Sequence, residues 1–188
     1  MDMNWFGEAM KKQPGQGTWE WQMFIEFIEA YFKNRGISPI VVEIGTRRNR
    51  QKGFYEHILG ARHIGIDITD HFSKPDILGD SKDLKTLETL KRMLDGQPVN
   101  LLFIDGDHSY KGAKSDYEMY GPLVKDIIAF HDISAHGLSV YKLWDELTKH
   151  DDNKSAKRSI RIGYATGLIM LGKDEKIYDR IKNYDKYF

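Results

Sequence analysis

Short apolar runs that each stop at a glycine, an acid or a histidine constrain this chain more than any other feature. Ile40-Val41-Val42-Glu43-Ile44 stops at Gly45, and His63-Ile64-Gly65-Ile66 stops at Asp67. Asp76-Ile77-Leu78 ends near Asp80-Ser81, Val99-Asn100-Leu101-Leu102-Phe103-Ile104 ends at Asp105, and Ile127-Ile128-Ala129-Phe130 ends at His131-Asp132. Runs this short and continuous read as strands buried on both faces. Segments of helical spacing lie between them: Gly53 to Leu59, the stripe Leu84-Leu87-Leu90-Leu94, and Gly112 to Tyr120 before Gly121-Pro122. Such alternation predicts an α/β fold, a parallel sheet with helices on both faces. In an open sheet of that kind the carboxyl ends of the strands face the ligand crevice. Asp105, His108, His131 and Asp132 are therefore expected in one pocket. Carboxylates and imidazoles gathered without matching cations either hold a metal or shift their pKa values, because unpaired buried charge is costly.

A chain of 188 residues suits one well-buried core and is short for two. Residues 1–17 are polar apart from Trp5 and Phe6 and end in Pro14-Gly15-Gln16-Gly17, so they are expected as an N-terminal arm before a single domain over 18–188. Thr18 is placed to cap a helix carrying Trp19, Met23, Phe24, Phe27, Ile28, Tyr31 and Phe32 on one stripe, with Gly36 at its end. Trp21 falls off that stripe and reads either as a half-exposed aromatic or as a contact to substrate or to a second subunit of a homo-oligomer. Leu138, Tyr141, Trp144 and Leu147 give a further helix, and Ser159 to Ile162 and Leu168 to Leu171 two closing strands about a tight glycine turn. A charged linker over His150 to Lys157 and a solvated helix over Lys173 to Phe188 complete the chain.

Lys plus Arg equal Asp plus Glu at 28 each, so no global field draws nucleic acid or an anionic bilayer. The absence of cysteine removes disulfides, thiolate metal sites and cysteine nucleophiles. The apolar runs fall far short of a membrane helix and the N-terminus lacks an apolar signal core, which predicts a soluble, cytoplasmic protein.

Gly45 just past the first strand and Asp67 at the end of the second have a physical logic of their own. A glycine there lets backbone approach a ligand, and an acid about 20 residues on accepts both hydroxyls of a ribose. Alone the pattern is weak, since a buried strand-helix-strand unit often carries a glycine in its first turn. Gly79-Asp80-Ser81 adds a carboxylate and a backbone amide suited to an adenine edge.

Taken together, Val42-Glu43-Ile44-Gly45-Thr46, Gly65-Ile66-Asp67, Gly79-Asp80-Ser81, Phe103-Ile104-Asp105-Gly106-Asp107-His108-Ser109-Tyr110 and Phe130-His131-Asp132-Ile133 resemble the class I S-adenosylmethionine-dependent methyltransferases. The likeness is to the branch that includes cephalosporin-hydroxylase-like and sugar O-methyltransferases, and it spans Ile40 to Leu171. It implies a Rossmann-like, mostly parallel seven-stranded sheet whose last strand runs antiparallel. It also implies S-adenosyl-L-methionine as cofactor, with Glu43 below the methionine amino group, Gly45 and Thr46 against the methionine part, Asp67 on the ribose, Asp80 and Ser81 on the adenine, and Asp105 at the edge of the same site. The chain departs from the family after Gly45, where Thr46-Arg47-Arg48-Asn49-Arg50-Gln51-Lys52 replaces small residues and further glycines. Asn49 is suited to the positive φ a glycine would supply. The three arginines read either as partners for the cofactor carboxylate or an anionic acceptor, or as solvated charge.

Methylation of a hydroxyl needs the acceptor oxygen deprotonated and aimed at the sulfonium methyl, tasks suited to a divalent cation and a base. Asp105 and Asp132 are hard oxygen ligands suited to Mg2+ or Mn2+. The resemblance makes Asp105 a metal ligand, His108 the catalytic base and the pair His131-Asp132 the rest of the metal site, with imidazole replacing one carboxylate of the family pattern. Structural alternatives stand beside these roles: a helix cap for Asp105, a cap or loop hydrogen-bonder for Asp107, a satisfied histidine for His108 and a packed aromatic for Tyr110, while His136 and His150 read as structural. The functional reading is an O-methyltransferase acting on a hydroxyl of a small molecule or sugar. A non-catalytic nucleoside-binding module and a metal-dependent hydrolase are the alternatives, between which fold does not choose.

Overall fold

Alternation within the apolar runs sorts their side chains onto two faces, and each face collects its own helices. The computed structural model of the chain describes residues 3–11, 18–134, 139–149 and 157–171. The runs form β1 (Ile40–Ile44), β2 (Arg62–Asp67), β3 (Ile77–Leu78), β4 (Val99–Ile104) and β5 (Val124–Phe130), and the closing pair forms β6 (Lys157–Ile162) and β7 (Thr166–Leu171). Helices α1 (Met3–Lys11), α2 (Thr18–Lys33) and α3 (Lys52–Leu59) cover one face, and α4 (Leu84–Leu94), α5 (Tyr110–Tyr120) and α6 (Val140–Thr148) the other. Val41, Leu101, Phe103, Ile127 and Ala129 pack beneath the first three helices, whereas Val42, Ile44, Ile64, Leu102, Ile104 and Ile128 pack beneath the second three.

The sheet has seven strands in the order β3-β2-β1-β4-β5-β7-β6. β1 to β5 are mutually parallel, and β7 runs antiparallel to both β5 and β6. This is the mostly parallel seven-stranded arrangement expected from the sequence. Strand order reverses between β1 and β4, and it is at such a switch point that the loops leaving two neighbouring strands diverge and open a crevice.

Helix α2 buries Phe24, Phe27, Ile28, Tyr31 and Phe32 of the expected stripe and departs from it in the first turn, where Trp21 takes the buried place expected of Trp19. Trp21, Phe24, Ile25, Ile28, Tyr31 and Phe32 are buried, while Trp19 is 47% exposed. Trp21 is not half-exposed: its ring packs among Phe24, Phe54, Tyr55 and Phe103. Both tryptophans lie at helical spacing, and only the position of the sheet selects one. A Schellman turn ends the helix, with Gly36 at φ 63° and Ile37 N donating to Phe32 O at 3.1 Å. Leu84, expected on the buried stripe of α4, is 66% exposed at the first helical position, while Leu87, Leu90 and Leu94 are buried.

Within the segment expected as an arm, α1 buries Phe6 and Met10, and Trp5 stacks on His57 of α3 at 4.2 Å between centroids. Asp83 caps α4 and Ser109 caps α5, each accepting a backbone N–H two or three residues on. Among the described residues no helix is long and apolar enough to cross a membrane. The expected terminal helix, positions 150–156 of the charged linker, and Leu138, His136 and His150 lie outside the described residues.

Candidate functional site

The residues singled out at strand ends stand one step past the sheet and are still fixed by its ladder. Gly45 N donates to Ile66 O, Asp105 N to Ile44 O, Gly79 N to Asp67 O and His131 N to Ile104 O, at 2.9 to 3.1 Å. Each loop therefore leaves the sheet from a fixed point, and a cleft of about 380 Å³ opens over the carboxyl ends of β1, β2 and β4. Gly45, Asp67, Asp80, Ser81, Asp105 and His108 line it, as does Arg47, one of the three arginines read as cofactor partners or solvated charge, together with Ile68, Lys82 and Gly106, which the sequence reading did not assign to a cleft.

Gly45 has φ 88°, and a Cβ there would meet Asp105 O at 2.2 Å and Gly106 Cα at 2.6 Å. Its closest approach is thus to the neighbouring loop, which it lets lie flat against β1. Asp67 accepts from Arg47 N at 2.6 Å and Thr69 N at 3.0 Å, so both carboxylate oxygens are aimed by backbone while each retains lone-pair capacity. Asp80 accepts from Lys82 N at 2.9 Å, which tightens the turn carrying Ser81. Lys82 reaches across to Asp107 at 3.2 Å, joining the two loops at the cleft mouth through an exposed pair worth little in stability. Asp107 also accepts from Ser109 N at 3.0 Å, the loop role foreseen for it.

The loop from Thr46 to Lys52 folds without further glycines because two of its residues take left-handed backbone. Asn49 has φ 51°, as its side chain permits, and Arg47 has φ 45°, which its sequence did not announce. Arg47 and Arg48 lie over the Phe72 ring at 5.4 and 5.8 Å.

Glu43 and Thr46 lie behind the cleft rather than in its lining. Glu43 is fully buried and pairs through Oε2 with His63 Nε2 at 2.9 Å. Burial pushes its carboxyl above the usual range, and the hydrogen bond and charge of His63 oppose that shift. Several buried polar atoms have no partner, among them Glu43 Oε1 and Asn49 Oδ1 as acceptors, Trp21 Nε1, Thr46 Oγ1 and Tyr55 Oη as donors, and Nδ1 of His63 itself. Buried polar groups are nearly always paired, so such a set signals a missing group. Acceptors and donors in this mixture suit a zwitterion, whose ammonium donates and whose carboxylate accepts. The amino-acid end of S-adenosylmethionine is of that kind, and the residues present fit it.

On the other side of Asp105 is a compact cluster. His131 Nδ1 is 3.2 Å from Asp105 Oδ1 and 3.3 Å from Asp132 Oδ1. His108 presents Nδ1 to Asp132 Oδ2 at 3.0 Å and Nε2 to Asp105 Oδ1 at 3.5 Å. Asp132 reaches this position through left-handed backbone, φ 58°. The Asp105 and Asp132 hydrogen bonds raise His108 to about 10 against the opposing effect of burial. For His131 burial acts downward, but the same two carboxylates outweigh it and the group also stands at about 10. Burial would raise Asp105, and the two imidazoles more than offset it; they hold Asp132 far below the carboxylate range. The imidazoles and the carboxylates thus favour each other's charged forms. His131 Nδ1 is at ion-pair distance from both acids yet aligned with neither for a hydrogen bond, and Asp105, His131 and Asp132 offer ligand atoms within 4.8 Å of one another. One oxygen from each acid and one imidazole nitrogen form a donor set that fits a divalent ion.

The loop after β5 is tied to the β6–β7 turn. Ile133 N donates to Ala165 O, and Glu20 of α2 accepts from Ala165 N and Thr166 N. Tyr110 is a packed, hydrogen-bonded aromatic, joined to Glu146 and Lys114 between α5 and α6.

Residues 49–133 match the family described as Methyltransferase domain. An 82-residue stretch is 32% identical to the uncharacterized protein y4gI of Sinorhizobium fredii, covering 42% of this chain and 8% of that protein. The fold is similar to the MycE methyltransferase of the mycinamycin biosynthetic pathway, solved with Mg and SAH (TM-score 0.63, 16% identity, 90% of this chain and 55% of that one). It is also similar to an O-methyltransferase from Bacillus cereus in complex with SAH (TM-score 0.57, 14% identity, 89% and 90% coverage). TomG from Streptomyces achromogenes, an O-methyltransferase of tomaymycin synthesis solved with SAM, aligns with TM-score 0.56 and 13% identity over 90% of this chain and 89% of that one. The chain thus shares the fold of these solved methyltransferases, and its residues 49–133 match a methyltransferase domain.

Proposed function

We propose that this chain is an S-adenosylmethionine-dependent O-methyltransferase that uses a divalent cation and acts on a hydroxyl of a small molecule or sugar. The observation that carries the reading is the place of Asp105, which lines the nucleoside-sized cleft and belongs to the Asp105–His131–Asp132 cluster. A methyl donor and an activated oxygen must meet within van der Waals reach, and one residue bordering both sites satisfies that demand.

Asp67 would hold the ribose hydroxyls, Asp80 and Ser81 the adenine edge, and Glu43 the ammonium of the methionine end. Asp105, His131 and Asp132 would hold the cation. When bound, the cofactor supplies an electrophilic methyl group and the cation lowers the pKa of the acceptor hydroxyl. His108, 36% exposed at the cleft wall, receives the acceptor proton on an imidazole nitrogen once the neighbouring carboxylates no longer hold it as imidazolium. Ile68 and the backbone of Gly45 and Gly106 supply apolar and flat surface for a nucleoside.

Calorimetric titration with S-adenosylhomocysteine and with Mg2+ or Mn2+, followed by methyl transfer to a panel of hydroxylated acceptors with and without EDTA, tests the proposal. Cofactor binding with EDTA-sensitive transfer supports it. Cofactor binding without transfer to any acceptor favours the binding module, and ester cleavage that needs metal but no cofactor favours the hydrolase.

A further inference from the structure

We infer that His63 is a positioning residue: it pins one oxygen of Glu43 so that the other, Oε1, is presented to the ammonium at the amino-acid end of the ligand. The inference rests on the cofactor reading above and adds to it a residue of β2 that touches neither the cleft nor the metal cluster.

The geometry begins with register. Glu43 of β1 is paired with Gly65 of β2, and Val41 with His63, so the His63 side chain shares a face with Glu43 and stands diagonally to it. Gly65 leaves the space opposite Glu43 open. A Cβ there would meet His63 Cε1 at 3.1 Å and Thr46 Cγ2 at 2.6 Å, so the ring and the threonine methyl fill what a side chain would have occupied. Two further contacts fix the imidazole. Tyr55 stacks on it at 5.5 Å with planes 11° apart and Nε2 is 2.9 Å from Glu43 Oε2, whereas Nδ1 makes no hydrogen bond, Asp76 Oδ2, itself tied to Gly65 N at 2.8 Å, standing 3.8 Å away.

Both side chains of the His63–Glu43 pair are wholly buried. With Glu43 ionised, as an ammonium partner requires, the carboxylate only accepts, so Nε2 carries the proton, and the bond consumes one oxygen. Glu43 Oε1 is left as an acceptor with no donor in the protein. A buried carboxyl without a partner would take up a proton and lose its attraction for an ammonium; His63 opposes that tendency. The arrangement parallels a metal-ligating group held by an outer hydrogen bond, where the outer partner sets orientation and basicity.

Two probes separate positioning from general support of the fold: S-adenosylhomocysteine, which carries the amino-acid end, and 5′-methylthioadenosine, which lacks it. His63→Phe keeps a flat ring against Tyr55 but loses the donor, and His63→Gln restores an N–H to Glu43. Calorimetry is expected to show S-adenosylhomocysteine binding weakened about tenfold in His63→Phe, largely recovered in His63→Gln, and methylthioadenosine binding within about twofold of wild type in both. In the wild type, the His63 Nε2–H proton resonance should move on titration with S-adenosylhomocysteine and stay in place with methylthioadenosine, a measurement that needs no variant to fold. Equal losses for both probes, or a resonance indifferent to S-adenosylhomocysteine, would overturn the inference. Wild-type protein that binds methylthioadenosine but not S-adenosylhomocysteine overturns it alone, whereas binding of neither removes the cofactor reading beneath it.

Discussion

His108 Nδ1 stands 3.0 Å from Asp132 Oδ2, so the base of the proposed reaction and a ligand of the proposed cation form one electrostatic unit. With His108 and His131 both near 10, the cluster carries two protons at neutral pH that a divalent ion must displace from the carboxylates' surroundings. Affinity for Mn2+ is therefore expected to rise with pH, by about tenfold per unit for each proton released. Calorimetry in buffers of different ionisation enthalpy measures the proton count, and a pH-independent affinity would contradict this reading.

Stability without metal follows from the same shifts. The histidines are raised above their ordinary 6.5, so their contribution is complete below that pH and is lost as pH climbs toward about 10. Asp132 is lowered, so its contribution is present above the ordinary 3.8 and is lost on acidification below it. Thermal melts in EDTA should fall between about pH 7 and pH 10, and His131→Gln should flatten that fall. A melting temperature that climbs over this interval would sink the ion-pair picture of the cluster.

Asp67 is aimed by two backbone amides and has lone pairs to spare. Asp67→Ala is expected to weaken S-adenosylhomocysteine binding about tenfold or more while leaving Mn2+ binding near the wild-type value. Loss of metal binding to the same degree would mean that the variant disturbs the sheet edge as a whole.

Gly45 combines φ 88° with a Cβ position only 2.2 Å from Asp105 O. Gly45→Ala must push the β1 and β4 loops apart, at a cost of about 3 kcal/mol or more in urea unfolding. An alanine variant as stable as wild type would show that the two loops separate freely.

Trp21→Ala removes a ring packed against Phe24, Phe54, Tyr55 and Phe103, and should cost about 3–5 kcal/mol. Trp19→Ala, on the exposed side of the same helix, should stay within about 0.5 kcal/mol. Reversed values would restore the stripe suggested by sequence spacing alone.

That contrast marks where sequence reasoning loses resolution. The strand ends were legible because a parallel strand buried on both faces is continuous in apolar residues and its end is abrupt. Gly45, Asp67, Asp80, Asp105, His108, His131 and Asp132 all follow from locating those ends. The stripe from Phe24 to Phe32 in α2 was legible, but its first turn was not, since Trp19 and Trp21 both sit at acceptable helical spacings and only the sheet beneath decides between them. The Glu43–His63 pair was hidden for a different reason: it depends on cross-strand register and on the missing side chain of Gly65, neither of which a single run reveals. Asn49 was readable as a left-handed residue, whereas Arg47 takes that backbone only because its amide is held by Asp67.

In the proposed reading Asp105 borders two ligands, which makes their occupancies reciprocal. Whatever factor by which the cation would tighten the hold on the nucleoside is the factor by which the nucleoside would tighten the hold on the cation. A cell poor in one of them would leave less of this protein loaded with the other.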